Sequence, residues 1–426
     1  MDRVRAHFSI PLFRNAYFLI LSSGIMSVLG FPFWVIAARR YSPETVGIAS
    51  TIIAAMMLVS SISQLGLGPI LVRYLPGAGT RTLRLVLWSY SAATGVSVIV
   101  AVVAAATAPV WSPPLAFLSH DTRWFALFVS SVVAWTIFGL QDEVLVGLRQ
   151  TRWIPIENAV FAVAKLGLVA ALAGIYRRAG IVVAWILPGM VLMLPVNVAI
   201  LARFIPRQLA SDPGTSRWHA TDMRRVIVGN YLGTLLSSLV SVLMPILVTK
   251  ELGARETAYF FLPWTIAFAL CLVTSALTTS LVVEVAAAES SMREQTRQAL
   301  RANLRVLVPA VLFLALLAPY VLRLLGSGYA ERGTLLLRLL LLGTIPNAVA
   351  TVGLTVGRIR HDGRLLARVQ GVVAVVSILG GALLLPVTGI NGAGVAWLTS
   401  QVLAVGMVAR PLRTAGVRIG PAPGRG

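Results

Sequence analysis

Twelve apolar runs, each near the length of a bilayer-crossing helix, follow one another through the 426 residues with only short polar gaps between them. They fall at roughly 15–36, 47–72, 85–108, 124–147, 154–176 and 181–201, then 226–249, 258–284, 304–325, 334–357, 365–387 and 392–409. A spanning helix needs about 20 mostly apolar residues. In hydrocarbon every backbone N–H and C=O must bond within the protein, which leaves helices as the solution for runs of this length. Hydrophobic residues make up 57% of the chain and charged ones only 12%, so water is not the solvent for most of its surface. The expectation is an all-α integral membrane protein of about twelve transmembrane helices.

Charge placement sets the expected orientation. The net charge of +21 invites a nucleic-acid reading, but the basic residues sit between apolar spans, where topology explains them. With the N-terminus inside, the inner segments hold 25 of the 36 Lys and Arg residues and the outer segments 10. That asymmetry predicts both termini on the cytoplasmic side of the cytoplasmic membrane. Met1 to Arg14 is short and basic and leads into an apolar run without a small-residue cleavage pattern, so it reads as the flank of a retained span. The single cysteine, Cys271, lies inside an apolar run and reads as a small buried hydrophobe.

The two halves echo each other. Asn15-Ala-Tyr17 with Ser22-Ser23 returns as Asn230-Tyr231 with Ser237-Ser238, at an offset of 215 residues. Six spans per half is an even number, so the repeats insert with the same orientation, related by a pseudo-two-fold axis along the membrane normal. The longest hydrophilic connection, containing Asp212-Pro213-Gly214, separates the halves. The predicted organisation is a six-helix lobe over 1–205, a cytoplasmic linker over 206–225, a second six-helix lobe over 226–412 and a cytoplasmic tail over 413–426.

Polar side chains are unevenly shared. The first, second, seventh and eighth spans hold 22 Ser, Thr, Asn and Gln residues, and the other eight hold 21. These repeat-related spans are expected to line a wet cavity between the lobes, with Ser23, Ser27, Gln64, Ser237, Ser241 and Thr278 on its wall, joined by Ser22, Ser60, Ser63, Ser238, Thr274 and Thr279. The competing reading is that hydroxyls bond back to their own helices. Lys165 lies near mid-bilayer, where an ammonium costs at least about 2.5–3.5 kcal/mol unless it meets water or a counter-charge. It reads either as a cation attracting a phosphate or acidic sugar, or as half of an ion pair. Asp142, Glu143 and Glu157 share one level on adjacent spans, and Glu284 lies near the inner end of the eighth. They are candidates for a coupling proton or sodium, or else are interfacial and solvated. Pro32 and Pro245 occupy similar places in the two repeats, and bends there would serve as gate hinges. Arg293, Arg297, Arg301 and Arg305 recur every four residues, a basic stripe suited to an anionic leaflet.

Catalytic constellations are missing. His7, His120, His219 and His361 have no metal spacing, and there is no phosphate loop, nucleophile elbow or sizeable aqueous domain. The chain is therefore expected to transport rather than to catalyse, with no cofactor and no metal.

The stretch Ala37-Ala-Arg-Arg-Tyr-Ser-Pro-Glu44-Thr-Val-Gly47-Ile-Ala-Ser50, then Gln64-Leu-Gly-Leu-Gly68 and Leu71-Val-Arg73-Tyr-Leu75, resembles the opening of bacterial polysaccharide and oligosaccharide flippases. These belong to the multidrug, oligosaccharidyl-lipid and polysaccharide exporter superfamily. The resemblance implies alternating access around a central cavity and a polyprenyl-pyrophosphate-linked glycan whose lipid tail stays in the bilayer. Other membrane proteins of polysaccharide assembly are implied as partners beside membrane lipids. Lipid II flippases of the superfamily carry arginines within the first, second and eighth helices; here Arg14 and Arg73 stand at span ends and the eighth span has no basic residue. Another glycan is thus favoured, with Lys165 supplying positive field. An ion-coupled multidrug or cation antiporter of the same fold is the alternative.

Overall fold

A computed structural model describes residues 29–211, 239–287, 292–359 and 362–414. The described residues form helices and short turns, with no strand among them. The chain divides into two compact units, Met1–Leu235 and Leu236–Gly426. Among the described residues nine helices are long and apolar enough to cross a membrane. The first and seventh apolar runs begin outside the described residues, so the count of twelve rests on the sequence.

In the first unit α1 covers 29–40, α2 Pro43–Ser63, α3 Leu67–Tyr74, α4 Thr82–Ala106, α5 Thr122–Gly147, α6 Trp153–Leu172 and α7 Gly180–Ala199. The turn into α2 explains the Ser-Pro-Glu motif. Ser42 caps the helix, its hydroxyl accepting from the Thr45 backbone N–H at 3.2 Å. Pro43 fills the first helical position, where no N–H is needed, and Glu44 complements the positive end of the dipole.

The second apolar run is not the single helix expected over 47–72. It breaks after Ser63, because Leu65 and Gly66 adopt left-handed backbone angles, φ 52° and 68°, and α3 restarts at Leu67. The Leu-Gly run of the motif is thus a break inside an apolar segment. A leucine held at positive φ is costly enough to require support from its surroundings. A second irregularity follows α7, which passes through a π-helical stretch, Ile200–Phe204, into Ile205–Ser211.

In the second unit α8 covers 239–252, α9 Ala254–Ala287, α10 Met292–Arg323, α11 Ser327–Ile359, α12 Gly363–Thr388 and α13 Asn391–Thr414. The basic stripe is the first part of α10, continuous with the span, and Arg297, Arg301 and Arg305 lie on its exposed side.

Each unit is organised around one helix. In the first, α5 packs against α2, α3, α4, α6 and α7; in the second, α11 packs against α9, α10, α12 and α13. These are the fourth spans of their repeats. The outer surfaces are apolar: on α12 Val375, Leu379, Leu383 and Val387 are exposed at four-residue spacing. Polar side chains such as Ser97, Gln141, Glu157 and Lys165 are buried. Apolar outside with polar inside is the distribution a lipid solvent imposes.

Candidate functional site

The first unit encloses a polar cluster on α4, α5, α6 and α7. Gln141, fully buried on α5, donates through its side-chain amide to both oxygens of Glu157 on α6, with Nε2 2.7 Å from Oε1 and 2.8 Å from Oε2. Its own Oε1 accepts from Asn197 Nδ2 on α7. Asn197 Nδ2 also reaches the Met193 carbonyl, at 2.8 Å. Asp142 lies within electrostatic reach of Glu157 and Glu143, and Tyr90 of α4 within reach of Glu157 and Asp142. Three buried polar atoms here, Tyr90 OH, Asp142 Oδ1 and Asn197 Oδ1, have no hydrogen-bond partner among the described residues.

Glu157 is only 4% exposed, so the solvated interfacial reading does not hold for it. A carboxylate in such a place needs donors, a proton or a cation to offset desolvation. Gln141 supplies donors, and among the described residues no basic group forms an ion pair with Glu157. Glu143 is half-buried and fits against Gly68: a Cβ on that glycine would lie 3.0 Å from Glu143 Cγ. Gln64 uses a similar notch, since a Cβ on Gly139 would lie 2.6 Å from its Nε2. The side chain of Glu284 lies outside the described residues.

Lys165 is held neither by solvent nor by a described acid. Its side chain is 1% exposed, and among the described residues it forms no ion pair. Instead Nζ sits over three aromatic rings, 4.2 Å from the centroid of Trp185, 4.9 Å from Phe161 and 5.5 Å from Phe33. The rings come from α7, α6 and α1, and their negative faces replace the counter-charge. Glu157 is eight residues earlier on the same helix, roughly 12 Å by helical rise. The cation and the acid therefore occupy separate levels.

The hydroxyl wall is only partly as expected. Ser23, Ser27 and Ser237 lie outside the described residues, as do Ser22, Ser238 and the side chain of Thr279. Ser63, Thr274 and Thr278 are buried and donate to carbonyls of their own helices, at 2.6, 2.9 and 2.8 Å. That is the geometry of back-bonding, in which a buried hydroxyl takes a carbonyl of its own helix as acceptor, and Thr278 also accepts from Asn303 Nδ2 on α10 at 3.1 Å. Ser60 is buried, and its hydroxyl has no partner among the described residues. Ser241 does line a hollow, a cavity of about 320 Å³ inside the second unit. Pro32 is exposed on α1 and Pro245 is buried on α8.

A feature absent from the sequence expectations joins the units' designs. In the second unit Asn347 on α11 donates to Gln401 on α13, Nδ2 to Oε1 at 3.1 Å. Gln141 with Asn197 and Asn347 with Gln401 join the fourth and sixth spans of their respective repeats. Counting polar residues per span pointed away from them, because the sixth span has Asn197 as its only Ser, Thr, Asn or Gln. Isolation was the available signal: a lone amide in an apolar span must find a partner on a neighbouring helix.

Residues 12–217 match a family model described as polysaccharide biosynthesis protein. No curated protein sequence matches the chain significantly. Among solved structures, the chain is similar to a multidrug resistance MATE family transporter of the MOP superfamily in an inward-facing conformation. The TM-score is 0.67 at 14% identity, covering 92% of this chain and 95% of that one. It is similar to the lipid II flippase MurJ in an inward closed conformation, with TM-score 0.59, 12% identity and coverage of 95% and 87%. A MOP superfamily transporter from Pyrococcus furiosus, described by a reversed polarity of its binding pocket, gives TM-score 0.60, 12% identity and 96% coverage of both chains. At these identities the likeness is one of fold.

Proposed function

We propose, from the match of residues 12–217 to a family model of polysaccharide biosynthesis proteins, that the chain is a flippase. It carries a polyprenyl-pyrophosphate-linked oligosaccharide or polysaccharide precursor across the cytoplasmic membrane by alternating access, without covalent chemistry. The family match carries this reading, and the fold shared with a lipid II flippase supports it. The physics agrees. Each unpaired hydroxyl moved into hydrocarbon costs roughly 4–8 kcal/mol, so a glycan needs a polar path that its lipid does not.

The site residues take roles within this proposal. Glu157 with Gln141, Asn197 and Asp142 is the coupling centre, with Glu143 and Glu284 as further acids, since it joins buried carboxylates to unpartnered polar atoms. Lys165 supplies fixed positive charge behind its aromatic rings. Ser23, Ser27, Gln64, Ser237 and Ser241 contribute polar surface to the glycan path, and Pro32 and Pro245 act as hinges. Both termini face the cytoplasm.

The acids of the first unit also favour a second reading, an ion-coupled exporter of cationic compounds with this fold. Deleting the gene distinguishes the two: the flippase reading requires lipid-linked glycan to accumulate on the inner leaflet. Normal outward transfer in that strain rejects it, and loss of cation efflux from inverted vesicles would then favour the exporter.

A further inference from the structure

The cavity of the second unit has a composition opposite to that of the first unit's cluster. Both are built beside an amide pair joining the fourth and sixth spans of a repeat. In the first unit the pair holds Glu157. In the second, the described lining contains no carboxylate, and its charged residue is Arg358.

The lining follows from helical spacing. Asn347, Thr351, Thr355 and Arg358 are four, four and three residues apart, so one stripe of α11 presents them together. Gln401 faces them from α13; it is 3% exposed, with Nε2 making only a long 3.5 Å contact to Ser400. The apolar side includes Trp264 and Trp397, set edge to face with centroids 5.8 Å apart. A volume of about 320 Å³ lies at the small end of the range of about 300–1,000 Å³ for ligand sites. It admits one sugar-sized group, not an oligosaccharide.

We propose that this pocket is a ligand site for a sugar bearing an anionic group, a phosphate or a carboxylate. Arg358 pairs with the anion, the amides of Gln401 and Asn347 bond hydroxyls, and the indoles cover an apolar face of the ring. A guanidinium at the mouth of a pocket whose described lining holds no acid selects anions, because it offers a planar fork of donors matched to phosphate and carboxylate oxygens. The sugar part rests on the flippase reading; the preference for an anion rests on the lining alone.

The test uses the full chain in phosphatidylcholine nanodiscs, titrated calorimetrically with glucose 1-phosphate, glucose and inorganic phosphate. Cys271, the chain's single cysteine, lines the pocket, so ligand protection against a small alkylating reagent gives a second readout. Glucose 1-phosphate is expected to bind more tightly than either fragment. Arg358→Ala should weaken it by about tenfold to a hundredfold, the range for hydrogen bonds to a charged group, and Arg358→Lys should retain part of the affinity. Gln401→Leu should weaken glucose 1-phosphate while leaving inorganic phosphate unchanged. An unchanged affinity in Arg358→Ala overturns the proposal, as does phosphate binding as tightly as the sugar phosphate. Protection of Cys271 in phosphatidylglycerol nanodiscs without added sugar would assign the pocket to a lipid headgroup instead. Normal glycan transfer in the deletion strain would refute the flippase reading and leave the binding result standing.

Discussion

Replacing Gln141 with leucine tests whether the buried cluster of the first unit is held by its amide. The substitution keeps the side chain's approximate size and removes the Nε2 donor shared by both oxygens of Glu157, at 2.7 and 2.8 Å. It also removes the acceptor for Asn197. A hydrogen bond to a charged group contributes about 1.5–3 kcal/mol, and the single bifurcated amide contact gives an expected loss in that range. Most of that loss is the cost of a carboxylate left buried without donors. Gln141→Leu combined with Glu157→Leu removes both partners, and replacement of a polar pair by apolar groups of similar shape is close to neutral. The double variant should therefore be more stable than Gln141→Leu alone, with a coupling energy of at least about 1 kcal/mol. Thermal unfolding of the detergent-solubilised protein reads the cycle; for a unit of this size, Gln141→Leu should lower the midpoint by at least roughly 3 °C. A loss under about 1 kcal/mol, or additive effects in the double variant, would refute the claim that Gln141 keeps the acid in place.

Lys165→Met keeps the length of the side chain and removes the charge. The lost ring contacts, about 0.5–2 kcal/mol each, are offset by a desolvation saving of about 2.5–3.5 kcal/mol. Folding should change little while glycan transfer in reconstituted vesicles falls, and unaffected transfer would remove Lys165 from the site. Gly139→Leu puts a side chain where Gln64 Nε2 now lies; steric overlap should cost about 1–3 kcal/mol in the same unfolding assay, and Gln64→Ala should rescue it. Ser42→Ala removes the cap of α2 and should cost about 1 kcal/mol, whereas the exposed Ser42→Asp should be tolerated. Gly66→Val places a β-branched residue at φ 68°, which should lower stability by more than Gly66→Asn, because Asn accepts left-handed angles.

The repeated apolar runs were sufficient to predict an all-helical membrane protein, because helix length in a bilayer is dictated by hydrocarbon thickness. The Ser-Pro-Glu turn was legible for an equally local reason: capping uses residues within one turn of each other, and Ser42, Pro43 and Glu44 take those places. The acids at 142, 143 and 157 could be placed at one level by helical rise alone. The break at Leu65 could not be read this way. An apolar run signals burial, and left-handed backbone at a leucine is sustained by packing from distant residues.

The sequence by itself determined an all-helical chain with helices long and apolar enough to cross a membrane, since that depends on composition and spacing along a single helix. Only the tertiary structure decided what each buried polar group meets. Lys165 meets three rings from α1, α6 and α7, Glu157 meets an amide 16 residues away on α5, and Asn347 meets Gln401 across 54 residues. Those partners depend on how helices rotate and cross. That geometry is set by the packing of all their side chains together, and no single spacing in the chain encodes it.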